Sequence, residues 1–344
     1  MHRTWALTLW LASAGIFASA ASAQPYTLAA THTLGGEGGW DYLSYEPGTQ
    51  RLFVTRGTHI QVVAPESGTV LADIPDTPGV HGFALAPELA KGYSSNGRDN
   101  SIGVFDLKTL KPLARIATPA GQNPDFIVYD PVSRRVFAFN GRSHDASVID
   151  AATDTLVATI PLSGKPEAAV ADGRGTVFVD IEDTAELTAI DTMRTKVAST
   201  WPLQGCVEPA GLAMDTAARR LFVGCHNRVL LVLDAADGRP VAQLPIGDGV
   251  DANAWDPSTQ RIFSSQGDGT LTVIKAQAGD RYAVEQTVAT RPGARTMALN
   301  PVNHEVYLVS AAFTEEPPAA GSTRPRRTLQ PGSFTLLVLR PGEH

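Results

Sequence analysis

The sequence predicts an all-β fold: a seven-bladed β-propeller of four-stranded blades whose N-terminal strand completes the last blade. Three observations carry this. A unit of about 42 residues recurs along the chain, a period typical of propeller blades. Each unit opens on a residue that starts a short apolar strand, and a turn begins five residues later. The last unit lacks a fourth strand, and the N-terminal segment has the composition of one.

The openings are Asp41, His81, Asp125, Glu167, Ala210, Asp251 and Arg295, and the turns begin at Glu46, Ala86, Asp130, Asp172, Asp215, Asp256 and Asn300. Proline follows the turn residue at Pro47, Pro87, Pro131, Pro257 and Pro301. A second strand follows each turn, as in Leu52-Phe53-Val54, Val136-Phe137, Leu221-Phe222-Val223 and Ile262-Phe263, with the weaker Lys91-Gly92-Tyr93 in blade 2. A third strand ends at an Asp turn (Asp150, Asp234), and a fourth reads Leu156-Val157-Ala158-Thr159-Ile160. β-Branched and aromatic residues between Gly, Pro and Asp punctuation favour strands throughout. Residues Leu28-Ala29-Ala30-Thr31-His32-Thr33-Leu34 match the fourth-strand pattern, so they are expected beside residues 334–340. Closure of that kind removes exposed sheet edges.

The 344 residues are 43% hydrophobic and 18% charged, which excludes a disordered chain. Residues 1–23 read as a signal peptide: Arg3 is the basic region, Trp5 to Ala18 the apolar stretch, and Ala21-Ser22-Ala23 the cleavage site. One domain over 24–344 follows, with periplasmic localisation expected and no other segment apolar enough to span a membrane. Removing Arg3 from 28 bases set against 35 acids leaves a net charge of −8. That charge disfavours phosphate backbones and anionic lipid, so a nucleic-acid partner is not expected. Cys206 and Cys225, close in sequence on blade 5, are expected to form a disulfide after export.

Leu52-Phe53-Val54-Thr55-Arg56-Gly57, Asn96-Gly97-Arg98-Asp99-Asn100, Asn140-Gly141-Arg142-Ser143-His144-Asp145 and Gly224-Cys225-His226-Asn227 resemble the YncE-like, YVTN-repeat β-propellers of bacteria. The resemblance spans about residues 26–340 and implies an exported propeller. Similar propellers include proposed DNA-binding proteins, lactonases and large subunits of amine dehydrogenases, so it does not select an activity.

Propeller geometry places the inner-strand openings, and the loops joining second to third strands, around one mouth of the central channel. Inner strands are packed on both faces and should be apolar, as Leu43, Phe83, Ile127, Leu212 and Met297 are. Yet six of the seven openings are ionisable, Ala210 being the exception. Strand ends meet water, and acids there serve turns, so any one position is as well explained by structure alone. The convergence of the set points to a binding funnel. The expected ligand-binding residues are Asp41, His81, Arg98, Asp125, Asn140, Glu167, Glu182, Asp251, Gln266 and Arg295. His81, His144 and His226 map to the same mouth and are the candidate metal ligands, since imidazole with carboxylate suits zinc, copper or iron. No H-E-x-x-H or C-x-x-C spacing supports them. Arg295 either neutralises Asp41 and Asp251 or holds an anionic ligand group. A Pro-rich insertion, residues 311–333, belongs to the mouth face and is expected to act as a stiff, lid-like cover.

Three function classes follow. The first is an exported propeller binding a small molecule or a divalent metal ion in the funnel. The second is a metal-assisted hydrolase or lactonase using the same funnel, without a G-x-S-x-G elbow. The third is a scaffold for a protein partner.

Overall fold

The computed structural model describes residues 25–316 and 326–342. Residues 1–23, expected to be a signal peptide, and the centre of the 311–333 insertion lie outside them.

The structure is all-β, with seven four-stranded antiparallel sheets set in a ring. The inner strands are Leu43–Glu46, Val80–Ala86, Pro124–Asp130, Pro166–Ala171, Pro209–Asp215, Val250–Asp256 and Met297–Leu299. The only helical element among the described residues is a 3-10 turn, Pro87–Leu89, where proline and a left-handed Ala90 break blade 2. No described helix is long and apolar enough to cross a membrane. Blade 7 is completed by Tyr26–Thr33, which pairs antiparallel with Thr335–Pro341 from Tyr26 opposite Pro341 to Thr33 opposite Thr335. The ring is thus closed by its first strand, as its composition predicts.

Seven apolar clusters fill the ring, one between each pair of adjacent blades. Each blade therefore buries both faces, and runs such as Leu52, Phe53 and Val54 or Leu221, Phe222 and Val223 in the second strands are buried on both sides. Fourth strands have only one covered face, and Thr155–Pro161 alternates accordingly.

On the face away from the mouth, the Asp turns cap backbone donors. Asp172 accepts from the N–H of Arg174 and Thr176 at 2.7 and 2.9 Å, and Asp215 from Ala217 and Ala218 at 3.0 Å. These acids do what short polar side chains do in turns.

The 311–333 insertion, expected to be a stiff cover, is described only in its arms. Its arms pair as a two-stranded hairpin, Phe313–Glu316 against Arg326–Leu329. The proline-rich composition concealed two short strands.

Candidate functional site

A β-bulge marks the mouth end of the inner strand in blades 2 to 6, where the register shifts between Val80 and Phe83, Pro124 and Ile127, Pro166 and Ala169, Pro209 and Gly211, and Val250 and Ala252. Bulges re-aim side chains, and here each spans an opening position. Hydroxyls of the preceding blade hold several in place. Thr55 Oγ1 donates to the His81 carbonyl at 2.8 Å, and Ser95 and Ser265 donate to the carbonyls of Asp125 and Arg295. The openings are thus fixed by neighbour-to-neighbour bonds around the ring.

Blades 1 to 3 bring Asp41, His81 and Asp125 together. His81 Nδ1 lies 2.7 Å from Asp41 Oδ2 and 3.5 Å from Asp125 Oδ1. Gly97 makes room for the imidazole, because a Cβ there would stand 2.8 Å from His81 Nε2. Burial opposes the imidazolium, but the Asp41 hydrogen bond and the charges of Asp125, Asp41 and Glu167 outweigh it and raise His81 to about 9. Burial lifts Asp125 to about 6 against the pull of His81.

Blade 4 contributes a second chain of charges. The Lys165 ammonium stands 2.9 Å from Glu167 Oε2 and also contacts Glu182. Burial, then the charge of Asp125, raises Glu167 to about 7, with Lys165 opposing. Tyr42 reaches across from blade 1 and donates to Glu167 Oε1 at 3.3 Å, its ring edge-on to Phe126 at 4.9 Å. These two rings cross a small channel cavity of about 150 Å³ lined by residues of all seven blades.

Arg295 pairs with Asp251, Nε to Oδ2 at 3.3 Å, whereas Asp41 is engaged by His81. The guanidinium lies off the hydrogen-bond direction, so Asp251 Oδ2 is buried beside a charge without a hydrogen bond. Burial raises Asp251 to about 7, Arg295 opposing and Asp41 and Glu167 adding.

Blades 4 and 5 together supply a rim group. The donor atoms of Glu182, Glu208 and His226 lie within 4.8 Å of one another. His226 Nε2 faces the Val250 carbonyl at 3.1 Å and its Nδ1 faces Glu208 at 3.0 Å. Donation from Nε2 to that carbonyl would leave Nδ1 as the ligating nitrogen.

Several residues expected to line the mouth stand apart from these groups. Asn140 is fully buried within blade 3 and donates to Asp145 and Ser147 at 2.6 and 2.9 Å. Gln266 is likewise buried in blade 6, donating to the Ser264 carbonyl and accepting from Thr270 and Thr272. Each ends a second strand, where the pleat turns the side chain onto the third strand. Arg98 is exposed in a turn. His144 occupies an exposed turn with φ of 55° and belongs to neither histidine-carboxylate group. The three histidines do not share one site.

Tyr42, Phe126, Lys165 and Asp180 are the residues the sequence reading missed. Asp180 is wholly buried, accepts from the Ala168 N–H at 2.6 Å and leaves Oδ2 unbonded. Burial holds it well above the ordinary carboxylate range. An acid inside Val177-Phe178-Val179-Asp180-Ile181 was the available signal.

Cys206 and Cys225 form a disulfide, Cα to Cα 5.4 Å, tying the loop that enters blade 5 to the end of its second strand.

No family model matches the chain, and no curated protein matches it. Solved structures do. Kuenenia stuttgartiensis hydrazine synthase is similar at 16% identity over 78% of this chain and 92% of that one, with a TM-score of 0.68. A chain of a mitotic checkpoint complex is similar at 13% identity over 98% of both, TM-score 0.74. U3-55K is similar at 11% identity over 91% of this chain and 99% of that one, TM-score 0.73. At such identities the likeness shows the propeller fold alone.

Proposed function

We propose that this chain is an exported, YVTN-like propeller that captures a divalent cation at the mouth of its central channel, through Asp41, His81 and Asp125. One observation carries the reading: these three side chains converge with donor atoms within 4.8 Å of one another. Donors about 2.1 Å from a common ion lie about 3.0 to 3.4 Å apart, close to the spacings His81 Nδ1 makes here. Neighbouring acids supply negative charge with little hydrogen bonding to satisfy it. One imidazole with two carboxylates suits zinc or a related transition metal. The disulfide supports export.

The test is a zinc titration of the purified protein by calorimetry and thermal shift. Zinc should bind and raise the melting temperature, and Asp125→Asn and His81→Ala should each abolish the gain. Binding must displace the His81 proton, so apparent affinity should rise with pH up to about 9. Unchanged zinc binding in both variants would place the ion elsewhere and overturn the reading.

Hydrolysis at the same mouth is the second reading, favoured by one feature. Burial and Asp125 hold Glu167 at about 7, a value suited to a general base near neutrality. Chelator-sensitive turnover of a lactone or ester, lost in Glu167→Gln, would establish it.

A further inference from the structure

Beside the acidic ring, and sharing with it only Arg295 and His226, lies a cleft of about 1120 Å³ between Phe313 at the base of the hairpin, blade 7 and the loop entering blade 1. Its volume is at the upper end of small-molecule sites. Its chemistry is the reverse of its neighbour's.

Among the described residues not one carboxylate lines it, although the chain carries 35 acids. One wall is aromatic: Trp40 stands 5.8 Å from Phe313 and is backed by Phe334 at 5.3 Å. The same lining carries two arginines, and the local sequence explains why both reach the cleft. Arg291-Pro292-Gly293-Ala294 forms a tight turn, with the Ala294 N–H donating to the Arg291 carbonyl at 3.0 Å. Proline in second place and Gly293 in third, at φ of 82°, are the residues a type II turn requires. The turn folds Arg291 and Arg295 back onto one cleft.

Neither cation is saturated. Arg291 makes one hydrogen bond, from Nη1 to Thr335 Oγ1 at 3.1 Å, and has no carboxylate partner among the described residues. Arg295 leans on Asp251 through Nε, and half of its side chain is exposed. The nearby hydroxyls of Ser310, Ser333 and Thr335 donate to backbone carbonyls. What remains on offer is an aromatic surface and guanidinium donors in one cleft.

From this we infer that the cleft is a binding site for a small organic anion with a planar apolar body, such as an aromatic carboxylate. The ring would lie against Trp40 and Phe313, and the carboxylate would meet Arg291 and Arg295, whose planar forks suit that group. The inference goes beyond the cation reading and does not depend on it.

The test compares 2-naphthoate with its uncharged counterpart 2-naphthamide, by calorimetry and tryptophan fluorescence. Naphthoate should bind at least about ten-fold more tightly, since charge-assisted hydrogen bonds are lost in the amide. Arg291→Gln should remove most of that difference while leaving the fold intact. Phe313→Ala should weaken both probes. Asp125→Asn should leave naphthoate binding unchanged, which separates this site from the cation site. Equal binding of the two probes, or no binding of either at millimolar concentration, would overturn the inference.

Discussion

Replacing Asp251 by asparagine should make the protein more stable, by an amount that grows as pH rises from about 4 to about 7. Asp251 is 8% exposed, and its Oδ2 has a charged neighbour but no hydrogen bond. Burial lifts its pKa from the ordinary 3.8 to about 7; Arg295 and His226 oppose the rise, and Asp41 and Glu167 add to it. The unfolded chain releases this proton near 3.9, whereas the folded protein holds it to about 7. A folded pKa raised in this way means that stability falls as pH rises from about 4 to about 7. At about 1.36 kcal/mol per pH unit, the fall is at most about 4 kcal/mol. Asparagine keeps the shape and has no proton to lose. It leaves Arg295 without its partner, but that side chain is half exposed, so the loss there should stay under about 1 kcal/mol.

The expected net gain is therefore about 2–3 kcal/mol at pH 8 and near zero at pH 4.5. Urea unfolding of wild type and Asp251→Asn at pH 4.5, 6 and 8 measures it. The difference between the two proteins should open with pH. A constant difference, or one that favours wild type at pH 8, would show that Asp251 is fully satisfied in the folded state. The reasoning that sets the mouth apart from an ordinary set of strand ends would then fail.

Two further outcomes follow from the same geometry. Arg56 is wholly buried, donates to the carbonyls of Gly35, Glu37, Gly38 and Gly39 at 2.9 to 3.1 Å, and stacks 3.6 Å over Phe334. Arg56→Met should cost about 2–4 kcal/mol in urea unfolding, because four carbonyls of the 35–39 loop lose the wholly buried donor they share. Replacing Cys206 and Cys225 together by serine opens a link of sequence separation 19 and should cost about 3 kcal/mol. Unfolding of wild type with and without reductant should differ by the same amount.

The fold was legible because a propeller repeats one register. The five-residue offset from opening to turn measures the inner strand, and the spare fourth-strand pattern at residues 28–34 has one place to go. The ring of openings was legible for the same reason, since residues at one register position of every blade must converge. The lining of the channel was not. Alternation assigns side chains to faces only where the strand is regular, and the bulges at the openings of blades 2 to 6 break it at the mouth. Phe126 lies within such a bulge, and Tyr42 stands just ahead of the regular inner strand Leu43–Glu46. The error at Asn140 and Gln266 has the complementary cause. Both stand at a loop edge in sequence, but the strand is still regular there and turns them onto the third strand.

The chain contains its own control for the claim that the mouth is more than a set of strand ends. Acids sit at both ends of the blades. At the far end, Asp106, Asp150 and Asp191 are held below the ordinary carboxylate value, first of all by backbone N–H groups of Thr109, Thr153 and Arg194. There the charge is matched by the turn that carries it, and structure is a sufficient account. At the mouth, Asp125, Glu167 and Asp251 are pushed the other way by burial and by one another. The same residue types on the same scaffold thus stabilise their turns at one face and oppose folding at the other. A closed ring of seven apolar interfaces can tolerate that cost, but nothing in folding calls for it. Groups held in such a state concentrate where a protein binds or reacts. The positive charge those carboxylates lack is what a captured cation would bring.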